Sequence, residues 1–327
     1  MAESMRKIRV GVIGVGYLGK FHAEKYAAMA EAELVGVADA NPEQAAAVAE
    51  KCATRAFADY RELLNEVEAV SIVVPTSLHH EVGMACLARG VDVMLEKPMT
   101  TTLAEADELI ALAQARGRIL QVGHLERYNP AVLAMEQYLT QPLFIESHRI
   151  HSFKPRGTDV DVVLDLMIHD IDIILSIIDA PLATIHTVGV PVVTPFTDIA
   201  NARLIFENGC TANITVSRIS KDNIRRLRVF QPRSYLSVDY AKKELMVIRL
   251  KKELSAEGMP QEEVITACFV EEDALEAELK DFVANVRDRA TPRVSGRQGR
   301  VALAVAQQIM AQIRENAERY QHLLRNV

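Results

Sequence analysis

The chain has 327 residues, 49% of them hydrophobic and 25% charged, a globular composition long enough for two domains with separate cores. A formal net charge of −7 argues against nucleic acid or an anionic membrane as the main partner. Cys52, Cys86, Cys210 and Cys268 are far apart and form no CxxC pair, so they read as reduced thiols and not as a disulfide frame or zinc knuckle.

The opening MAESMRKIRVGVIG is polar and then runs into a strand, without the apolar segment of a secretory leader. No uncharged apolar run reaches the roughly eighteen residues of a membrane span, and a cytoplasmic protein is expected. Strand 8–13 ends in Gly14-Val15-Gly16-Tyr17-Leu18-Gly19, and an Ala-rich helix follows over 20–30. In such a turn Gly14 permits the tight bend, Gly16 lets a pyrophosphate approach the backbone, and Gly19 lets helix and strand pack closely. The helix N-terminus then offers its free N–H groups to the phosphates.

Asp39 closes the next strand (34–38), 20 positions past Gly19. A carboxylate there accepts from the adenosine ribose hydroxyls and repels a 2′-phosphate. With Ala40, Asn41 and Pro42 after it and no arginine, NAD is favoured over NADP. The bland alternative is that Asp39 caps the helix beginning near Pro42.

Helices at 43–51, 59–66, 79–89 and 103–116 alternate with short apolar strands at 54–57, 69–74, 92–95 and 119–122. That order predicts an α/β Rossmann domain with a doubly wound parallel sheet, whose ligands sit at the carboxyl ends of the strands. The residues at those ends are Thr76 and His79 after the fourth strand, Glu96, Lys97 and Pro98 after the fifth, and His124, Glu126 and Arg127 after the sixth. Most lysines are solvated and idle. Lys97, at a strand end and held by proline, is poised beside the cofactor.

The stretch 161–179, DVVLDLMIHDIDIILSIID, is apolar around most of a helical circumference and expects burial on nearly all sides. Asp165, His169, Asp172 and Ser176 nevertheless stack on one narrow face. A buried carboxylate needs a partner, so the stripe is a structural hydrogen-bond network, a metal site or a catalytic face. Beyond it, strand-like runs at 184–193, 199–207, 211–218, 224–230, 234–240, 244–250 and 264–270 follow a first one at 144–153, with Asn208-Gly209 as a hairpin signal. Helices at 275–289 and 298–324 close the chain. The expected division is residues 1–125 for dinucleotide binding and 126–327 for an α+β domain that binds substrate and forms oligomers. Arg218, Lys221, Arg225, Arg226 and Arg228 cluster in this acidic chain, as a charged sheet face or as a site for a diphosphate.

The glycine motif, VVPTSLHHE (73–81), EKPMT (96–100) and the Asp165-xxx-His169-xx-Asp172 helix occur in one order along one chain. Together they resemble the Gfo/Idh/MocA oxidoreductases, the glucose–fructose oxidoreductase and inositol dehydrogenase family, over essentially the whole length. The resemblance implies a Rossmann domain followed by an α+β domain on a large, open, mostly antiparallel sheet that packs against another subunit, as a homodimer or homotetramer. It implies Lys97, Asp165 and His169 as the catalytic group. Cofactor contacts would come from Gly14, Gly16, Tyr17, Leu18, Gly19, Asp39, Thr76, His79, Glu96 and Lys97, and a cis peptide would precede Pro98. Substrate contacts would come from His124, Arg127, Asn129, Asp165 and His169; no metal is implied. Many relatives carry glycines before the catalytic helix and GEDG near the C-terminus, where this chain has Asp161-Val162-Val163 and Gly296-Arg297-Gln298-Gly299.

GHLERYNPAV (123–132) with the catalytic helix is most similar to the branch acting on nucleotide sugars, such as the UDP-N-acetylglucosamine 3-dehydrogenases. The expected activity is NAD(P)-dependent oxidation of a secondary hydroxyl of a sugar or sugar nucleotide. A dehydrogenase of a free sugar or inositol is the alternative. A non-catalytic NAD-binding sensor and a metal-dependent hydrolase using Asp165, His169 and Asp172 are rivals from other classes.

Overall fold

The computed structural model describes residues 6–153, 160–254 and 259–319. Two compact units divide the chain: one runs to Leu125 and takes in Asp273–Val301, and the other is Glu126–Glu272 with the chain from Ala302 on.

The first unit is built on β1 (Ile8–Ile13), β2 (Ala32–Ala38), β3 (Arg55–Phe57), β4 (Ala69–Ile72), β5 (Asp92–Glu96) and β6 (Leu120–Gly123), all parallel, in the order β3-β2-β1-β4-β5-β6. Every residue of β4 and β6 is buried, which is why these strands read as continuous apolar runs. The helices between them are α1 (Gly19–Ala28), α2 (Pro42–Lys51), α3 (Tyr60–Leu63), α4 (His79–Ala88) and α5 (Leu103–Ala115). Their starts follow from side chains that satisfy free N–H groups: Asn41 accepts from Glu43 and Gln44, and Thr102 forms a reciprocal capping box with Glu105.

The helix Ala274–Asp288 also belongs here, and this departs from the expected division at residues 125 and 126. Its Leu279, Phe282, Val283 and Val286 are buried in one core with Val10, Val12, Tyr26 and Met29. An apolar helical face goes where it finds an apolar partner, and Asp273–Val301 returns to the first unit for that reason.

In the second unit α6 (Pro130–Glu136) precedes an eight-stranded sheet and α7 (Ile168–Ile177). The strands are β7 (Phe144–Ile150), β8 (Leu182–Val190), β9 (Ile199–Phe206), β10 (Thr211–Ser217), β11 (Ile224–Gln231), β12 (Ser234–Asp239), β13 (Glu244–Leu254) and β14 (Pro260–Cys268). Their order is β14-β13-β12-β11-β7-β10-β9-β8, with β7 parallel to β10 and the other neighbours antiparallel. Gly209, at φ +85°, turns the chain from β9 to β10. The final helices are α8 (Ala274–Asp288) and α9 (Gly296–Arg319); the expected end of the last helix at 324 lies outside the described residues.

One face of this sheet is a closed core. Ile145, Ile214, Val216, Leu227 and Val229 pack there with Met135 and with Ile171 and Ile174 of α7. The opposite face carries Phe144, Phe230 and Tyr235, whose rings lie 5.6 and 5.1 Å apart in sequence along the sheet, and exposed Met246 and Val264.

Candidate active site

The glycine turn has the shape its sequence predicts. Gly14 has φ +85°, and a Cβ there would lie 2.7 Å from the Val73 carbonyl oxygen. A Cβ on Gly19 would collide with the Gly14 carbonyl oxygen, whereas one on Gly16 would meet nothing within 4 Å. Space at Gly16 is therefore not used by the protein's own packing. Asp39, at the end of β2, accepts from Val15 N at 2.7 Å and from Asn41 N at 2.8 Å. Because Asn41 caps α2, Asp39 does not; it ties the glycine turn to the end of β2. Tyr17 and Leu18 are exposed at the turn, Tyr17 edge-on to Phe21.

At the end of β5, Glu96 and Lys97 are half-buried and the Lys97–Pro98 peptide is cis. Glu96 has two neighbours of opposite kind. His22 of α1, 2% exposed, places Nε2 3.2 Å from Glu96 Oε1, and Lys97 N donates to Glu96 Oε2 at 3.2 Å. Burial raises the pull of the Glu96 carboxyl for a proton, but the His22 hydrogen bond and the charges of His22 and Lys97 outweigh it and hold the group below the usual carboxylate range. His22 was not singled out in the sequence. The signal was available: it shares the buried face of α1 with Ala23 and Tyr26.

His79 is held between two backbone carbonyls. Its ring is 1% exposed, with Nδ1 3.0 Å from the Pro98 carbonyl oxygen and Nε2 2.9 Å from that of Val74. Both nitrogens face protein carbonyls, so His79 braces the loops after β4 and β5. Thr76 stands half-buried in a 3₁₀ turn just before it. His124 is buried at the end of β6.

In the second unit the stretch read as one α-helix begins instead as a π-helical turn, Val163–Met167, in which Ile168 N–H reaches back to the Val163 carbonyl. Asp161 starts it by accepting from Val163 N at 2.9 Å. Single π-turns inside helices occur frequently at functional sites, and this one contains Asp165. Asp165 and His169 are half-buried, Asp172 is buried and Ser176 is exposed. Asp172 lies 3.6 Å from Arg127 Nη1, a loose pair. Arg127 Nε is buried without a hydrogen-bond partner among the described residues.

Asn129 is buried and bonded within its own unit. Its Oδ1 accepts from Ala131 N to cap α6, and its amide donates to the Tyr240 carbonyl at 3.1 Å and to Glu126 at 3.2 Å. These bonds tie the start of α6 to the residue that follows β12. The carboxylate that was overlooked is Asp170, 0% exposed, which pairs with buried Arg149 at 2.8 Å. Of the basic cluster, Arg218 is buried and bonded to the Val160 carbonyl, while Arg226 pairs with Asp239 and Arg228 with Glu146. Lys221 and Arg225 are exposed. Among the described residues no group of three or more His, Cys, Asp or Glu side chains could hold a metal ion, and no helix is long and apolar enough to cross a membrane.

A six-stranded parallel sheet with a glycine turn after its first strand and an acid closing its second defines a dinucleotide-binding enzyme unit. Comparison with known proteins makes this particular. Residues 8–124 match the oxidoreductase family with NAD-binding Rossmann fold, and 134–233 match the GFO/IDH/MocA C-terminal domain. The chain is 41% identical over 310 residues to UDP-N-acetylglucosamine 3-dehydrogenase of Acidithiobacillus ferrooxidans, covering 93% of this chain and 97% of that protein. A solved structure of that enzyme superposes with a TM-score of 0.88 over 94% of this chain and 98% of the other, at 39% identity. Myo-inositol 2-dehydrogenase of Thermotoga maritima is 27% identical, covering 90% of this chain and 93% of its own. Levoglucosan dehydrogenase in complex with NADH, 18% identical, shares the fold with a TM-score of 0.86 over 95% of this chain and 98% of that one.

The chain belongs to the Gfo/Idh/MocA oxidoreductase family. It is an NAD(P)-dependent dehydrogenase acting on a CH–OH group. The residues present fit a nicotinamide dinucleotide: open space at Gly16, an α1 terminus starting at Gly19, and a carboxylate at Asp39.

Proposed function

We propose that the chain oxidises the 3-hydroxyl of a UDP-N-acetylglucosamine-type sugar nucleotide, with NAD as the preferred cofactor. The observation that carries this reading is 41% identity, along 93% of the chain, to an enzyme of that name. The more distant myo-inositol 2-dehydrogenase makes a free sugar or inositol the second reading. A bound nicotinamide supplies the hydride acceptor. His169 takes the hydroxyl proton, a role suited to an imidazole. Lys97 donates to the same oxygen and stabilises its developing negative charge, and Asp165 orients the substrate or supports the charge on His169. Arg127, with its buried and unsatisfied Nε, supplies a donor to the substrate, and His124 a further contact. Gly14, Gly16, Gly19 and the backbone at Tyr17 and Leu18 cradle the pyrophosphate, Asp39 holds the ribose, and Thr76 and Glu96 border the nicotinamide side.

The exposed sheet face with Phe144, Phe230, Tyr235, Met246 and Val264 supports a homodimer or homotetramer through the second unit, and the site of action is the cytoplasm. An NAD-reduction screen of UDP-N-acetylglucosamine, its uronic acid, free hexoses and inositols tests the substrate. Turnover of UDP-N-acetylglucosamine is expected, and activity confined to free polyols overturns the sugar-nucleotide reading.

A further inference from the structure

The mechanism proposed for Lys97 needs an ammonium that keeps its proton and its place. What surrounds the end of β5 provides for both. Glu96 precedes Lys97, and its carboxylate occupies a slot over Gly123 of β6, where a Cβ would lie 3.0 Å from the Glu96 carboxyl carbon. A side chain at 123 would require the carboxylate to shift. One carboxylate oxygen accepts from the Lys97 backbone and the other faces His22 Nε2.

The proton on His22 Nε2 follows from what that nitrogen faces. Nδ1 is buried and has no hydrogen-bond partner among the described residues. A lone pair on Nε2 would be set against the Glu96 carboxylate oxygen 3.2 Å away, acceptor against acceptor. The proton therefore sits on Nε2 and is donated to Glu96. His22 is 2% exposed on the face of α1 that also buries Ala23 and Tyr26, and the polar contact it makes there is the one to Glu96.

We propose that His22 is a positioning residue for the Glu96–Lys97 pair: its Nε2–H fixes the Glu96 carboxylate in the orientation that also accepts from the Lys97 backbone N–H, so that a negative charge is held at the residue next to Lys97. The inference rests on the assignment of Lys97 to the reaction. The charges and titratable groups concerned are His22 on α1, Lys97 itself, and His79 on α4, which feels the Glu96 charge as well. Attraction between two charges is mutual, so a carboxylate held ionised beside Lys97 favours the protonated amine by the same interaction. Without the His22 donor the carboxylate either turns away or takes a proton, and the Glu96 charge acts less on Lys97.

The test is a pH titration of the Lys97 amine by competitive acetylation, read on the Lys97 peptide by mass spectrometry, beside the pH profile of NAD reduction. His22→Phe keeps a ring but removes the donor, and the Lys97 midpoint is expected to fall by about one pH unit, with the alkaline limb of kcat moving alongside. His22→Gln, whose amide can donate from a similar position, is expected to recover most of the shift. Glu96→Gln removes the charge itself with almost no change of shape and is expected to give the same fall, which covers a His22→Phe chain that does not fold. An unmoved Lys97 midpoint in Glu96→Gln, or in a folded His22→Phe, overturns the proposal. Lys97→Met separates the two readings. Wild-type turnover in that variant overturns the role of Lys97, whereas a dead Lys97→Met with an unmoved midpoint in the others overturns only the role of His22.

Discussion

Arg149 of β7 and Asp170 of α7 form an ion pair in which neither side chain is in contact with solvent to any useful degree: Nε to Oδ2 is 2.8 Å and the two residues are 3% and 0% exposed. Arg149 also reaches Glu126 at 2.8 Å, and its guanidinium lies 4.9 Å from the Tyr240 ring centroid. Burial works against the Arg149 charge, and the charges of Asp170 and Glu126 more than restore it, raising the group above its ordinary value. The pair ties α7, on which His169 stands, to the central strand of its sheet.

Breaking such a pair from one side leaves a buried charge without its partner and costs about 3–5 kcal/mol, whereas replacing both partners by apolar groups is often near neutral. Arg149→Met is therefore expected to lower stability by about that amount, measured as a shift of the urea midpoint. Asp170→Asn, which keeps the shape and the Ser147 hydroxyl contact at 2.8 Å, is expected to cost less. Wild-type stability in Arg149→Met would show that water reaches Asp170 and that the pair is not dry.

This pair also shows what a sequence does and does not reveal. The glycine turn, the order of strands and the Glu96-Lys97-Pro98 strand end were legible because each is local: strand, turn and helix lie within a few residues of one another. Arg149 and Asp170 are 21 positions apart and meet only through the register of β7 against α7. On β7, Ile145, Ser147 and Arg149 are buried while Phe144, Glu146, His148 and Ile150 are half-exposed, so the inward face carries two polar residues that no apolar pattern marks. The π-turn at Val163–Met167 hides for a related reason, since a spacing of four fits either helical form. The pattern of 275–289 marks a helix, yet the core it joins, with Val10, Val12, Tyr26 and Met29, lies at the other end of the chain and has no signature in the helix's own residues.

Gly16 and Gly19 separate the two duties of the glycine turn. A methyl on Gly19 meets the Gly14 carbonyl oxygen, whereas one on Gly16 meets nothing of the protein. Gly19→Ala is expected to lower the melting temperature without any cofactor present. Gly16→Ala is expected to melt with the wild type and to bind NADH at least about tenfold more weakly, a loss of ~1.4 kcal/mol, in fluorescence titration. Undiminished NADH affinity in Gly16→Ala would remove the pyrophosphate from this turn.

Asp39 is both a brace and a charge. It holds Val15 N and Asn41 N, so its removal is expected to weaken either cofactor. Only the charge discriminates against a 2′-phosphate, and the ratio of kcat/KM for NAD to that for NADP isolates it. Asp39→Asn preserves one carbonyl acceptor and is expected to lower this ratio at least about tenfold. An unchanged ratio would place the cofactor preference elsewhere.

His79 gives a pH dependence whose sign can be worked out. A neutral imidazole carries one N–H, so of its contacts to the Val74 and Pro98 carbonyls one is a hydrogen bond and the other sets lone pair against lone pair. Protonation would satisfy both carbonyls but would bury a charge. Burial is the larger effect and pushes the ring below the usual histidine range, although the Val74 and Pro98 bonds and the Glu96 charge pull the other way. The folded state thus favours the neutral ring. Its contribution to stability is fully present above the unfolded value of about 6.5 and is lost as pH falls through that value toward the folded one. Urea midpoints taken between about pH 7.5 and 5 are expected to decline toward acid more steeply in the wild type than in His79→Gln, which has no such proton to take up. A wild type that instead gains stability on acidification relative to that variant would show that the two carbonyls prevail over burial and that the ring is held as an imidazolium.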